Sequence, residues 1–189
     1  MDGMTVTSPA RTAADAARTV GRETAFELLC TALFASSARD PRTSIAAVQH
    51  ELDALGSARG VRAARALLPL ATTGCESPAE ARSLLHMLDL EYARPQQQAD
   101  FRDREGRMLV DFFWPEAGLV GECDGLVKYL SVDRGDGRGA ARAVIDEKLR
   151  EDRLRALGLR VVRWTPATLQ DRGAFDRLLA TAGTPRLRG

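Results

Sequence analysis

Three carboxylates interrupt a stretch that otherwise reads as core. From Met108 to Leu130 the chain runs MLVDFFWPEAGLVGECDGLVKYL, with Asp111, Glu122 and Asp124 among its apolar residues. Side chains of a strand alternate between two faces. Glu122 and Asp124 therefore point the same way, with Val120, while Asp111 shares a face with Leu109 and Phe113. A turn of about four residues between the two segments predicts an antiparallel hairpin. A register that sets Asp111 beside Glu122 or Asp124 brings the acids within one side-chain length. Like charges so placed repel unless a cation sits among them or one is protonated. A hard divalent cation meets that need: Mg²⁺ takes oxygen ligands, usually one or two carboxylates with waters and substrate phosphate. The alternative is structural, with Asp124-Gly125 a strand-ending turn and Glu122 paired with an arginine. Lys128, in the loop beyond Asp124, could reach back to stabilise developing negative charge, or it is an exposed loop lysine.

Other charged residues have two readings each. Ser77-x-x-Glu80 fits a capping box, in which Glu80 bonds back to the cap residue; Glu80 is also a candidate active-site acid. In VIDEKLREDRLRAL, a helical period puts Ile145, Leu149 and Ala156 on one buried stripe. Asp152 falls on that stripe and needs a partner, for which Arg163 in the following VVRW segment is the candidate, as a structural pair. Lys148, Arg150 and Arg153, with Arg142 and Arg155, offer a phosphate-facing surface. The alternative there is a solvated helix with acids and bases at helical spacing.

The elements that must position these residues follow from periodicity. The first ~90 residues read as helices. Ser8-Pro9 caps the first. ETAFELLCTALFASSA carries a stripe of Phe26, Leu29, Cys30, Leu33 and Phe34. Asp40-Pro41 opens a third helix with Ile45, Val48, Leu52 and Leu55 on one face, ended by Gly56, and an Arg- and Ala-rich helix spans roughly 58–70. ATTGCES is a linker by composition. Beyond it come a helix from Ser77-Pro78, a polar edge-like strand QQQADFRD, a turn at Glu105-Gly106, the strands RMLVDFFW and LVGECD, and a glycine-rich loop. A helix of about residues 141–157, the strand LRVVRW and a closing helix from Pro166 complete an α-β-β-β-α-β-α order.

Composition sets outer bounds. Lys plus Arg number 27 and Asp plus Glu 26 in 189 residues, a net charge of +1. That balance gives no general pull on nucleic acid, so any such contact needs a local basic patch. Cys30, Cys75 and Cys123 lack metal-ligand or disulfide-framework spacing and read as reduced thiols of a cytoplasmic protein. His50 and His86 read as surface or packing residues. No apolar run suggests a membrane span, and the N-terminus lacks a signal peptide's apolar core.

VDFFWPEAGLVGECDGLVKY, followed by EKLREDRLRALGLRVVRW, resembles the very-short-patch-repair-like branch of the PD-(D/E)XK nuclease superfamily. The likeness covers roughly residues 74–180 and looks nearest to uncharacterised actinobacterial proteins and to those related to AbiEi-type antitoxins. It implies an α/β fold: a restriction endonuclease-like αβββαβ core over 74–183, a helical N-terminal region over 1–73 and a tail over 184–189. The segment TVTSPARTAADAAR is similar to one that follows a winged helix in such proteins, which implies that the chain starts where that domain would end. By motif, Asp111 and Glu122 match the metal-binding acids, with Asp124 as a third ligand or orienting group, and Glu80 matches the acid of the preceding helix. The superfamily places a lysine two residues after the second acid, where this chain has Asp124. Water activation then falls to Lys128, to Lys148 or to a second metal. The implied function is Mg²⁺- or Mn²⁺-dependent endonuclease hydrolysis of DNA phosphodiester bonds. The alternative is a nuclease fold that no longer cleaves and serves as an antitoxin-like binding or regulatory module.

Overall fold

The structure is a computed structural model that describes residues 6–36, 38–123 and 138–187, with only the backbone described over 138–144. The chain divides into two compact units, Met1–Leu85 and His86–Gly189. The division falls inside a helix, past the linker at residues 71–77.

The first unit is helical: α1 (Pro9–Thr19), α2 (Arg22–Leu33), α3 (Ile45–Ala54), α4 (Val61–Leu67) and the first part of α5 (Pro78–Asp89). Ser8 accepts a hydrogen bond from the Arg11 N–H at 3.1 Å, and Pro9 takes the first helical position, as its sequence predicts. The buried face of α1 is all alanine, at residues 10, 13, 14 and 17. Against it α2 buries Phe26, Leu29, Cys30 and Leu33. The third helix starts at Ile45, later than expected: Ser44, not Asp40, is its cap and accepts from the Ala47 N–H at 3.2 Å. Gly60, with φ of 82°, opens α4, and a Cβ there would stand 1.8 Å from the Arg18 carbonyl oxygen. Only glycine tolerates both the left-handed backbone and that approach.

The second unit is mixed α/β. Its strands are β1 (Gln96–Asp103), β2 (Gly106–Trp114), β3 (Leu119–Cys123) and β4 (Arg160–Trp164), joined in the order β1-β2-β3-β4. The first three are antiparallel and β4 runs parallel to β3. Helix α6 (Arg138–Ala156) lies between those two in the chain, and α7 (Arg172–Thr181) follows β4. This helix starts later than the Pro166 expected, because Asp171 caps it through the Ala174 N–H at 2.9 Å. One face of the sheet stacks Phe112 on Trp164, which meets Phe175 of α7 edge-on. The other carries Val120 and Leu154 with Val161, Leu159 and Phe113. Pro185, Arg186 and Leu187 are fastened to the rest of the unit. Arg186 lies over the Tyr92 ring at 4.2 Å, pairs with Asp176 at 2.7 Å, and its neighbours bond to Glu91 and Ala93. Among the described residues no helix is long and apolar enough to cross a membrane.

Candidate functional site

The site forms where β2 and β3 stop pairing. Their ladder runs Trp114–Leu119, Phe113–Val120 and Phe112–Gly121. One step further along the same register sets Asp111 opposite Glu122. The ladder stops one pair short of that point. Instead Asp111 Oδ2 accepts the Cys123 N–H at 2.9 Å. On its other side, β2 loses its pairing between Asp111 and Gln98, which has φ of 50°. The consequence is visible in the packing. Met108 and Val110 join the same cluster as Val120 and Phe113, which strict alternation forbids. The strand thus changes sides around Asp111, so this residue does not share one regular face with Leu109 and Phe113. Gly121, next to Glu122, meets the opposite face so closely that a Cβ would sit 2.7 Å from the Trp164 ring and 3.0 Å from Trp114.

The cations beside Glu122 are arginines. Its side chain is 5% exposed. Arg150 of α6 donates to its Oε1, and Arg163 of β4, its register partner across the parallel pair, brings Nη2 to 2.6 Å from Oε2. Oε2 nevertheless gains no hydrogen bond from that contact. Arg163 also pairs with Glu147, and with Glu151 at 3.3 Å, while Arg150 lies 3.6 Å from Glu147 and donates to the Leu109 carbonyl. Burial pushes the Glu122 carboxyl above its ordinary range, and outweighs the opposing pull of Arg150 and Arg163.

This network corrects the expected phase of α6. Ile145 and Leu149 are 58% and 55% exposed, and Ala156 is exposed, whereas Leu154 is fully buried. The stripe facing the sheet is Glu147, Arg150, Glu151 and Leu154. Asp152 therefore faces outward, 3.9 Å from Arg155, and the expected Asp152–Arg163 pair gives way to Arg163 with Glu122, Glu147 and Glu151. Of the proposed phosphate-facing cations, Lys148 is exposed. Arg150 points inward, and Arg153 grips Asp103 with two bonds of 2.6 Å and the Gly106 carbonyl at 3.1 Å. That grip holds the Asp103 carboxyl down at about 2. Glu147, Glu151 and Asp103 were not singled out from sequence. The signal for the two glutamates was the i, i+3, i+4, i+7 spacing of residues 147, 150, 151 and 154, masked by a competing apolar stripe.

Glu80 is a capping residue. Its backbone N–H donates to Ser77 Oγ at 3.2 Å, and its carboxylate accepts the Ser77 hydroxyl at 2.7 Å and the Glu76 N–H at 2.9 Å. Asp124 and Lys128 lie outside the described residues. Among the described residues no three His, Cys, Asp or Glu side chains converge as a metal-ligand set.

Comparison with known proteins gives a distant relationship. The chain is 31% identical over 163 residues to the uncharacterized protein MT2308 of Mycobacterium tuberculosis strain CDC 1551 / Oshkosh, and equally to the uncharacterized protein Rv2248 of strain ATCC 25618 / H37Rv. The match takes in 86% of this chain and 55% of each relative, so the chain spans about half of their length. No family profile matches the chain, and no solved structure does.

Proposed function

We propose that the second unit is a restriction endonuclease-like core acting on DNA, with Asp111 and Glu122 as the acids of a divalent-cation site. The carrying observation is the Glu122 carboxylate: buried, across the sheet register from Asp111, with Oε2 lacking a hydrogen bond. The donor set fits Mg²⁺ or Mn²⁺ in kind, because both residues offer only oxygen. Asp124 is the third candidate ligand. What such an ion supplies is a more acidic water and charge neutralisation at the scissile phosphate. The chain's own residues do the rest. The Cys123 N–H orients Asp111. Arg163 fixes Glu122 from the strand beside it. Burial of Glu122, whose side chain is 5% exposed, strengthens the charge interactions it makes. Lys128 is assigned to the transition state and Lys148 to the phosphate backbone.

A cleavage assay on plasmid and single-stranded DNA with Mn²⁺ tests this. Wild type should cut and Glu122→Gln should not; equal cutting by both contradicts the assignment. A second reading, a non-cleaving antitoxin-like binding module, is favoured by one observation: Arg150 and Arg163 already neutralise Glu122. It predicts DNA retention without cutting by either protein.

A further inference from the structure

Arg150 bridges the two strands that carry the acids. Its guanidinium spans the gap between β2 and β3, donating through Nη2 to the Leu109 carbonyl, two residues before Asp111, and through Nη1 to Glu122 Oε1, the residue opposite Asp111 in register. It thus places a positive charge where the ladder opens between the two acids. Its anchorage differs from that of Arg163. Arg163 projects from a strand and is held among Glu122, Glu147 and Glu151. Arg150 projects from a helix, is 27% exposed, and its other acidic neighbour, Glu147, is 3.6 Å away. It can therefore withdraw to solvent along α6 while Arg163 keeps hold of Oε2. Ile145 and Leu149, on the neighbouring face of α6, are exposed.

We propose that Arg150 is a resident cation that competes with the divalent ion for Glu122, so that metal binding requires its release. The inference rests on the metal-site reading given above. It explains why a buried carboxylate destined for a metal is stable without one: the guanidinium supplies the counter-charge that burial demands. It makes Arg150 a regulator of occupancy and Arg163 a positioning residue that stays in place. A nucleic-acid phosphate drawing Arg150 away would then favour metal entry, so ion and substrate would bind cooperatively.

Calorimetric titration with Mn²⁺ tests the proposal on the full chain. A hydrogen bond to a charged group removed from competition corresponds to about tenfold to hundredfold in affinity. Arg150→Gln should therefore bind Mn²⁺ about 10- to 100-fold more tightly than wild type, and Arg150→Gln with Glu122→Gln should lose the gain. Equal affinity of wild type and Arg150→Gln overturns the competition and leaves the metal site standing. Absence of Mn²⁺ binding in both overturns the metal site and the competition with it. Should Arg150→Gln not fold, wild type answers the question by side-chain Nε–H resonances under Mg²⁺ titration. Arg150 should move toward the position of a solvated arginine, while Arg153, gripped by Asp103, should stay. A stationary Arg150 with Mg²⁺ bound refutes the release.

Discussion

Replacing Arg163 by methionine isolates the electrostatics of the site. The methionine keeps much of the side chain's length and removes its charge. Breaking a buried ion pair by deleting one partner costs roughly 3–5 kcal/mol when the other charge is left uncompensated. Here Glu122 keeps Arg150 on Oε1, and Glu147 and Glu151, 32% and 24% exposed, can hydrate. The expected loss is therefore about 2–3 kcal/mol at pH 8, below that full range. The loss must also depend on pH. The folded Glu122 carboxyl already titrates above its ordinary range through burial, and Arg163 is one of the charges pulling it down. Its removal raises the carboxyl further. A raised carboxyl contributes stability that is present below its unfolded value and lost as pH climbs through the folded one. The variant's deficit should thus be smaller at pH 5 than at pH 8, with Arg150, Glu147, Glu151 and Asp111 as the other charges in the network. The assay is urea unfolding with chelator present, followed by tryptophan fluorescence. Trp114 and Trp164 are the chain's two tryptophans and both lie in the sheet that carries the site. At pH 8 the midpoint should drop by about 1 M urea. A deficit equal at both pH values, or none at pH 8, would refute this account of what holds Glu122 in place.

Other substitutions probe neighbouring claims. Gly121→Ala forces a methyl to 2.7 Å from Trp164 and 3.0 Å from Trp114; it should cost about 1–3 kcal/mol and alter tryptophan emission, and Trp164→Phe should recover part of the loss. Ser77→Ala removes half of a capping box and should lower stability by about 1 kcal/mol in thermal melts, without changing Mn²⁺ affinity. A change in that affinity would add an active-site role to the capping one for Glu80. Asp103, held at about 2 by Arg153, should rise toward an ordinary aspartate value in Arg153→Gln. The stability it contributes in wild type is present above the unfolded carboxyl value and is lost as pH falls through about 2. Carboxyl-carbon NMR titration checks it, and an unmoved Asp103 would contradict the clasp.

Much of the second unit was legible because its signals are local. QQQADFRD is β1 residue for residue, and the β3–α6–β4 order appears in the sequence as a glycine-ended helix between two apolar runs. Ser8, Ser77 and Gly56 announce helix ends through chemistry confined to one turn. What failed was long-range. Ile145 and Leu149 outbid Glu147 and Arg150 for the inner face in any hydrophobic reading, yet Glu122 on β3 and Arg163 on β4 select the charged face. That preference exists only once both strands are paired. The side-switch near Asp111 depends likewise on a lapse of pairing opposite Gln98, which no period in β2 foretells. The acids within an apolar run did signal a need for counter-charge: Glu122 is buried and has cations beside it, supplied by the chain itself.

The most direct test of the central claim is thermal stability with and without saturating Mn²⁺, measured on wild type, Asp111→Asn and Glu122→Gln. Binding to the native state alone stabilises it by mass action, about 2.7 kcal/mol at a hundredfold excess over Kd. A divalent-cation site at this pair of acids predicts a raised Tm for wild type and none for either variant. A wild type indifferent to Mn²⁺, or variants that gain as much as it does, would contradict it.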